Sequence, residues 1–86
     1  MKIIFHRSFV KDFAKLSNKK QGQVNKAIEL FRSNPFSKEL KNHKLKGEMK
    51  GKRAISVGFD LRIIFTVDGD YVTVIMLSVG THEEVY

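Results

Sequence analysis

Residues 43–65, HKLKGEMKGKRAISVGFDLRIIF, join a basic loop that contains two glycines to a pair of short apolar segments. In the segments 53–57 and 61–67, apolar residues alternate with polar ones or run in short blocks, which is typical of half-buried strands. Gly47 and Gly51 allow the backbone of the loop to turn tightly or to approach a ligand closely. This stretch therefore predicts a sheet that carries a cationic loop at its edge.

The loop concentrates the positive charge of the chain. Between Ser37 and Arg53, seven basic residues stand against two acidic ones, Glu39 and Glu48. The basic residues are Lys38, Lys41, Lys44, Lys46, Lys50, Lys52 and Arg53. The whole chain carries a formal charge of +7, which favours an anionic partner such as nucleic acid, an acidic protein or a membrane surface. A lysine-rich loop on a rigid sheet suits a phosphate polymer best.

Length and composition restrict the other possibilities. With 86 residues, the chain is predicted to form one domain, residues 1–86, with a core large enough to fold alone. No apolar run approaches the roughly 18 residues that a membrane-spanning helix needs, and the apolar part of MKIIFHRSF is too short for a secretory signal. The absence of cysteine excludes disulfides and thiolate metal sites. A cytoplasmic protein is the simplest interpretation.

The N-terminal half predicts one strand and two amphipathic helices. The strand runs from Lys2 to His6, Ser8 and Ser17 are the predicted N-caps of the two helices, and Asn34-Pro35 ends the second helix. The apolar stripes consist of Phe9, Phe13 and Leu16 in the first helix and of Val24, Ala27, Ile28 and Phe31 in the second. Two such helices in succession predict a helical hairpin that lies on a sheet.

Three strands are predicted after the basic loop, and Asp68-Gly69-Asp70 is the turn between the last two. Because successive side chains of a strand point to opposite faces, residue parity assigns each one to a face. The face under the helices is predicted to carry Ile55, Val57, Ile63, Phe65, Val67, Tyr71, Ile75 and Leu77. The open face is predicted to carry Lys52, Ala54, Ser56, Arg62, Ile64, Met76 and Ser78. Gly80 is expected to turn the chain before the C-terminal segment.

The order of these features resembles the RelE/ParE toxin superfamily. The matching features are the strand and two helices, the LxGxxxGxR pattern from Leu45 to Arg53, the strand ending DLRIIF, and VGTHxxVY from Val79 to Tyr86. The HxLxG start at His43 and the GTH sequence that ends at His82 are most similar to the YafQ-type toxins. The resemblance implies an α+β fold of the order β-α-α-β-β-β, in which both helices pack on one face of an antiparallel sheet.

The resemblance also implies an activity and a site. It implies a ribosome-dependent endoribonuclease that cleaves messenger RNA by acid–base chemistry, with no cofactor and no metal. Attack by a 2′-hydroxyl needs a base, an acid and cations around the phosphate. The implied site residues are His43 with Asp60 as the base or its orienter, His82 as the acid, Arg62 as the phosphate clamp, and Tyr86 as a stacking or hydroxyl group. RNA or ribosome binding is expected from Lys44, Lys46, Lys50, Lys52 and Arg53.

Partners follow from the same resemblance. We expect a cognate antitoxin that is acidic and partly disordered when free, and that covers the open face of the sheet or the cationic loop. Ile64 and Met76, predicted on that open face, are the apolar residues that motivate this expectation. The ribosome and messenger RNA are the expected targets, and operator DNA is expected to be contacted only through the antitoxin.

Two alternatives remain open on the sequence. One is a toxin of the ParE type, which shares the fold, lacks enzymatic activity and binds DNA gyrase; His43 and His82 favour the nuclease instead. The other is an RNA-binding protein of the same fold with little activity, since Ser56 and Ser78 stand where YafQ-type toxins carry a histidine and an arginine. Individual residues also have purely structural interpretations. Asp60 is suited to capping a turn, and Arg53 shares the parity of the core face.

Overall fold

The fold, seen in a computed structural model that describes residues 1–86, is a five-stranded sheet with two helices packed on one face. The strands are β1 (Lys2–Phe5), β2 (His43–Lys44), β3 (Arg53–Val57), β4 (Leu61–Asp68) and β5 (Thr73–Thr81). The helices are α1 (Arg7–Ala14), α2 (Asn18–Ser33) and a four-residue C-terminal α3 (His82–Val85). Short 3₁₀ turns lie at Lys38–Leu40 and Gly47–Met49. The predicted α+β architecture is confirmed.

The spatial order of the strands is β1-β5-β4-β3-β2. Strands β2 to β5 pair in antiparallel fashion, but β1 runs parallel to β5, so the expected antiparallel sheet is mostly rather than wholly antiparallel. The two-residue strand β2 was not predicted, and neither was α3. Both are shorter than the elements that hydrophobic periodicity detects.

Local signals fix the helix boundaries. The hydroxyl of Ser17 caps α2 as predicted, since it accepts a hydrogen bond from the backbone N–H of Lys20. The predicted cap of α1 is wrong by two residues, because His6 is the N-cap and its Nδ1 accepts from the backbone N–H of Ser8. Helix α2 ends at Ser33, just before Asn34-Pro35, as expected.

The core lies between the two helices and the sheet. It joins the apolar stripes of α1 and α2 to alternate residues of β3 and β4, as the parity of these strands predicted. Its members are Phe9, Val24, Ala27, Ile28, Phe31, Leu40, Ile55, Val57, Leu61, Ile63, Phe65, Val74, Met76 and Val79. The aromatic rings of Phe31 and Phe65 meet edge to face at its centre, 5.0 Å apart between centroids.

The face assignment of β5 was wrong. Phe65 pairs with Met76 whereas Ile64 pairs with Ser78, so Leu77 is the extra residue of a β-bulge. Met76 therefore belongs to the buried core, and Ile75 pairs with Thr66 on the opposite face. Ile64 lies on the open face, as predicted, yet it is buried. Neither apolar residue that motivated antitoxin binding to the open face is thus accessible.

Candidate functional site

The basic loop between β2 and β3 is closed at its base by backbone pairing. His43 pairs with Ala54 in the sheet, and the N–H of Leu45 donates to the carbonyl of Lys52 at 3.0 Å. Gly47 and Gly51 have φ values of +67° and +90°, which disfavour any residue with a side chain. The glycines therefore serve the tight turns of the loop.

The loop lysines line an open cleft of about 580 Å³. Lys44, Lys46 and Lys50 are exposed, Lys52 is half-buried, and none of them forms an ion pair. Since the single salt bridge of the chain joins Lys20 to Asp60, the positive charge of the loop is not neutralised within the protein. A cluster of unpaired ammonium groups on an open surface suits phosphate binding.

Arg53 also lines this cleft, but its polar contacts lie elsewhere. Its Nε donates to Oδ1 of Asn42 at 2.8 Å, and its guanidinium carbon lies 5.7 Å from the centre of the Phe36 ring. Arg53 is half-buried and pairs with Phe65 in the sheet, which agrees with the parity of the core face. These contacts give the side chain a structural role at the edge of the core.

The ring of His43 is held in a defined orientation. Its Nδ1 lies 2.8 Å from the carbonyl oxygen of Lys41. Because a carbonyl can only accept, Nδ1 carries the hydrogen of this bond. In the neutral imidazole, Nε2 then bears the lone pair, which is the arrangement that a general base needs. Lys41 itself has a left-handed backbone, with φ of 50° and ψ of 44°.

The C-terminal helix presents His82 and Tyr86. Thr81 is its N-cap in a complete capping box: the Thr81 hydroxyl accepts from the N–H of Glu84, and the Glu84 carboxylate accepts from the N–H of Thr81 at 2.8 Å. The rings of His82 and Tyr86, one helical turn apart, meet edge to face with centroids 4.4 Å apart. Both side chains are exposed.

The capping box also affects the charge of Glu84. Hydrogen bonds from the backbone N–H of Thr81, and secondly from its side chain, lower the pKa of the Glu84 carboxyl below its ordinary value of 4.5. The T-x-x-E spacing of Thr81 and Glu84 is visible in the sequence, so this helix start could have been recognised. Gly80, predicted to turn the chain, instead lies within β5. A Cβ there would lie 3.0–3.3 Å from atoms of Glu84 and Val85, so the glycine admits the close approach of α3.

One open cleft of about 480 Å³ brings His43, His82 and Tyr86 together. The other residues that line it are Leu45, Lys46, Glu48 and Met49. The two histidines, which lie at opposite ends of the C-terminal half of the sequence, thus line the same cleft. Sequence reasoning did not single out Glu48 or Met49, and no motif marks them.

Asp60 and Arg62 are not among the residues that line this cleft. Asp60 lies in the turn between β3 and β4, and its Oδ2 is 3.4 Å from Nζ of Lys20 on α2. Arg62 lies opposite Ser56 and Gly80 in the sheet, two residues in register from α3, and its Nη1 donates to the carbonyl of Leu61 at 2.9 Å. Neither side chain is therefore placed in the cleft of His43 and His82, and Asp60 is paired with Lys20.

No group of three or more His, Cys, Asp and Glu side chains is arranged to hold a metal ion. No helix has the length and apolar character that crossing a bilayer requires.

Comparisons with known proteins agree with this architecture. A family model described as "Bacterial toxin of type II toxin-antitoxin system, YafQ" matches residues 1–86. No curated protein matches the chain by sequence. The crystal structure of YafQ from E. coli strain BL21(DE3) superposes with a TM-score of 0.80 at 23% identity, covering 99% of this chain and 97% of that one.

Two further structures show the same fold. A toxin described as YoeB/ParE from Agrobacterium tumefaciens has a TM-score of 0.78 at 21% identity, with 95% of this chain and 99% of that chain covered. The toxin in the E. coli DinJ-YafQ toxin-antitoxin complex has a TM-score of 0.77 at 23% identity, with 99% and 96% covered.

Proposed function

The chain belongs to the YafQ family of bacterial toxins of type II toxin-antitoxin systems, and from that premise we propose that it is a ribosome-dependent endoribonuclease that cleaves messenger RNA. The observation that carries this proposal is the cleft shared by His43 and His82. Two imidazoles on one open cleft offer a proton acceptor and a proton donor. A toxin that only binds a protein target needs neither group.

His43 is the proposed general base. The Lys41 carbonyl occupies Nδ1–H, so the lone pair of Nε2 is available to take the proton of the attacking 2′-hydroxyl. The orienting role that the sequence suggested for Asp60 falls to this carbonyl instead, since Asp60 pairs with Lys20. An oriented imidazole loses less freedom in the transition state than a free one.

His82 is the proposed general acid. As the 2′-oxygen forms its bond to phosphorus, the bond to the 5′-oxygen breaks, and His82 donates a proton to that leaving oxygen. The products are a 2′,3′-cyclic phosphate and a 5′-hydroxyl. A capping box rather than a flexible tail holds the backbone of His82, which supports a fixed position for the donor.

Cationic and aromatic side chains complete the proposed site. Arg62 uses Nη1 on a backbone carbonyl and keeps further N–H groups for the scissile phosphate. Lys46 lines both the cleft of His43 and His82, here called the histidine cleft, and the cleft of the loop lysines, called the lysine cleft. The two clefts therefore form one continuous surface for an RNA backbone. Tyr86, packed on His82, is the proposed platform for a nucleobase.

The proposed partners follow the family. The E. coli relative forms a DinJ-YafQ toxin-antitoxin complex. We expect a cognate antitoxin for this chain as well, acidic because the toxin carries a charge of +7.

The function is tested by adding the purified protein to a translating system and mapping new 5′ ends of the messenger RNA. Wild-type protein should create new ends on translated messages and none on the same RNA without ribosomes, while His82→Ala should create very few. Gyrase supercoiling is measured in parallel as the control for the ParE-type alternative. Loss of supercoiling without new RNA ends would overturn the proposal.

A further inference from the structure

Asn42 precedes the proposed base and makes three side-chain hydrogen bonds. Its Nδ2 donates to the carbonyl of Pro35 at 3.0 Å and to the hydroxyl of Tyr71 at 2.9 Å, and its Oδ1 accepts from Nε of Arg53 at 2.8 Å. Both amide hydrogens are used, and the oxygen has a charged donor. No other side chain of the molecule connects as many separate segments by hydrogen bonds.

The partners of Asn42 are themselves held firmly. Tyr71 has a left-handed backbone with φ of 71°, which is rare for a bulky residue and persists only where the surroundings impose it. Its ring packs against Phe31 in the core and against Phe36, at 6.0 and 5.2 Å between centroids. The Arg53 guanidinium lies against the same Phe36 ring. The amide of Asn42 is thus anchored to the core through aromatic side chains.

The anchored position of Asn42 also determines the orientation of the His43 side chain. His43 pairs with Ala54, whereas Arg53, the neighbour of Ala54, points to the helix face. Asn42 precedes β2 and is held on the helix face by its bond to Arg53. His43 pairs with Ala54 and projects from the open face, because successive residues of a strand alternate between faces. The preceding residue, Lys41, is left-handed and accepts the bond from Nδ1 of His43. Fixing Asn42 thereby fixes both the carbonyl that orients the imidazole and the face on which the imidazole lies.

We propose that Asn42, held by Tyr71 and Arg53, is a positioning residue for His43: it keeps the Lys41 carbonyl on Nδ1 and the Nε2 lone pair facing the cleft. This inference rests on the proposed function for its effect on cleavage, but its structural part does not. It also changes the role of Arg53, which the sequence predicted to bind RNA. In this inference Arg53 positions Asn42 and does not contact a phosphate.

The variants that test it are Asn42→Ala, which removes all three bonds, and Tyr71→Phe, which removes one hydroxyl and keeps the aromatic packing. Lys38→Ala, on an exposed residue of the adjacent 3₁₀ turn, is the matched control. The ring-nitrogen NMR spectrum of His43 at alkaline pH reports which nitrogen carries the proton. We expect the Nδ1–H form in wild type and in Lys38→Ala, and a mixture of the two tautomers in Asn42→Ala.

Cleavage on the ribosome provides the second measurement. Asn42→Ala should lower the single-turnover rate about 10- to 100-fold, the range that a displaced reacting group typically costs, with ribosome affinity unchanged. Tyr71→Phe should lower it less. An unchanged His43 tautomer in a folded Asn42→Ala or Tyr71→Phe protein would overturn the inference. Because the tautomer is measured without RNA, a wild-type protein that does not cleave would refute the proposed function alone.

Discussion

The carboxylate of Asp12 on α1 accepts a hydrogen bond from the backbone N–H of Val79 on β5, with Oδ2 and N 3.1 Å apart. One turn earlier on the same helix, the hydroxyl of Ser8 donates to the carbonyl of Leu77. Leu77 is the residue at which the β4–β5 register shifts, and Val79 lies two residues beyond it. Helix α1 therefore satisfies backbone groups at the bulge, and the bulge in turn lets both Met76 and Val79 face the core.

Asp12→Ala should lower the free energy of unfolding by about 1–3 kcal/mol, because the half-buried N–H of Val79 loses its acceptor. Urea denaturation followed by circular dichroism measures the change. Lys11→Ala, on the exposed neighbouring residue of the same helix, is the control for helix propensity. Equal stability of the two variants would show that the Asp12 contact does not support the bulge.

Local patterns predicted most of the fold. The apolar stripes of α1 and α2 and the parity of β3 and β4 depend on neighbouring residues, and the structure confirms them. The bulge at Leu77 was not predictable in this way, because it depends on Ser8 and Asp12, which are 69 and 67 residues distant from their partners. The parallel pairing of β1 with β5 is equally non-local.

The candidate site residues were predicted from the resemblance to a known toxin family and not from the spacing of residues along the chain. His43 is far along the chain from His82 and Tyr86, and only the order of the strands brings them to one cleft. Asp60 and Arg62 both lie near the start of β4, but Asp60 belongs to the preceding turn, where its carboxylate pairs with Lys20. The proposed role of Asn42 could not be predicted from the sequence, since its partners Pro35, Arg53 and Tyr71 belong to three different segments.

Acid should loosen α3 before it unfolds the protein. Because folding lowers the pKa of Glu84, its contribution to stability is present above the ordinary value of 4.5 and is lost as the pH falls through the lowered value. The amide-exchange protection factors of residues 82–86 should therefore fall below pH 4.5 while the core strands stay protected. Glu84→Gln keeps an acceptor but does not titrate, so its α3 exchange should not show this acid step. The same acid step in Glu84→Gln would assign it to another group.

The lysine cleft should supply affinity rather than sequence choice. Exchanging Lys44, Lys46, Lys50 and Lys52 for glutamine should weaken ribosome binding strongly and flatten its salt dependence, while the cut positions stay the same. Binding is measured by co-sedimentation at several salt concentrations. The control exchanges Lys2, Lys11, Lys19 and Lys26, exposed lysines of β1, α1 and α2, and so changes the net charge equally. Equal weakening by both sets would mean that net charge, not this cleft, binds the ribosome.

The ring of Tyr86 should matter more than its hydroxyl. Tyr86→Phe keeps the edge-to-face contact with His82 and the surface on which a base can stack. We therefore expect near wild-type cleavage from Tyr86→Phe. Tyr86→Ala should lose about 1–3 kcal/mol of binding to the messenger RNA in the ribosomal complex, the typical contribution of one base–aromatic stack. If both variants lost the same binding free energy, the hydroxyl of Tyr86, and not its ring, would be the group that contacts the RNA.

The proposed chemistry assigns different steps to His43 and His82, and a modified substrate separates them. A messenger RNA with sulfur in place of the 5′-oxygen at the cleaved linkage has a leaving group that departs without a proton. An acid at His82 therefore matters only for the oxygen substrate, whereas a base at His43 matters for both.

The most direct test is the single-turnover cleavage rate of His43→Ala and His82→Ala on ribosomes carrying each substrate. On the oxygen substrate, both variants should be slower than wild type by about 10²–10⁴-fold. On the sulfur substrate, His82→Ala should approach the wild-type rate while His43→Ala stays slow. The same loss for His82→Ala on both substrates, or wild-type cleavage by either variant on the oxygen substrate, would contradict the assignment of base and acid.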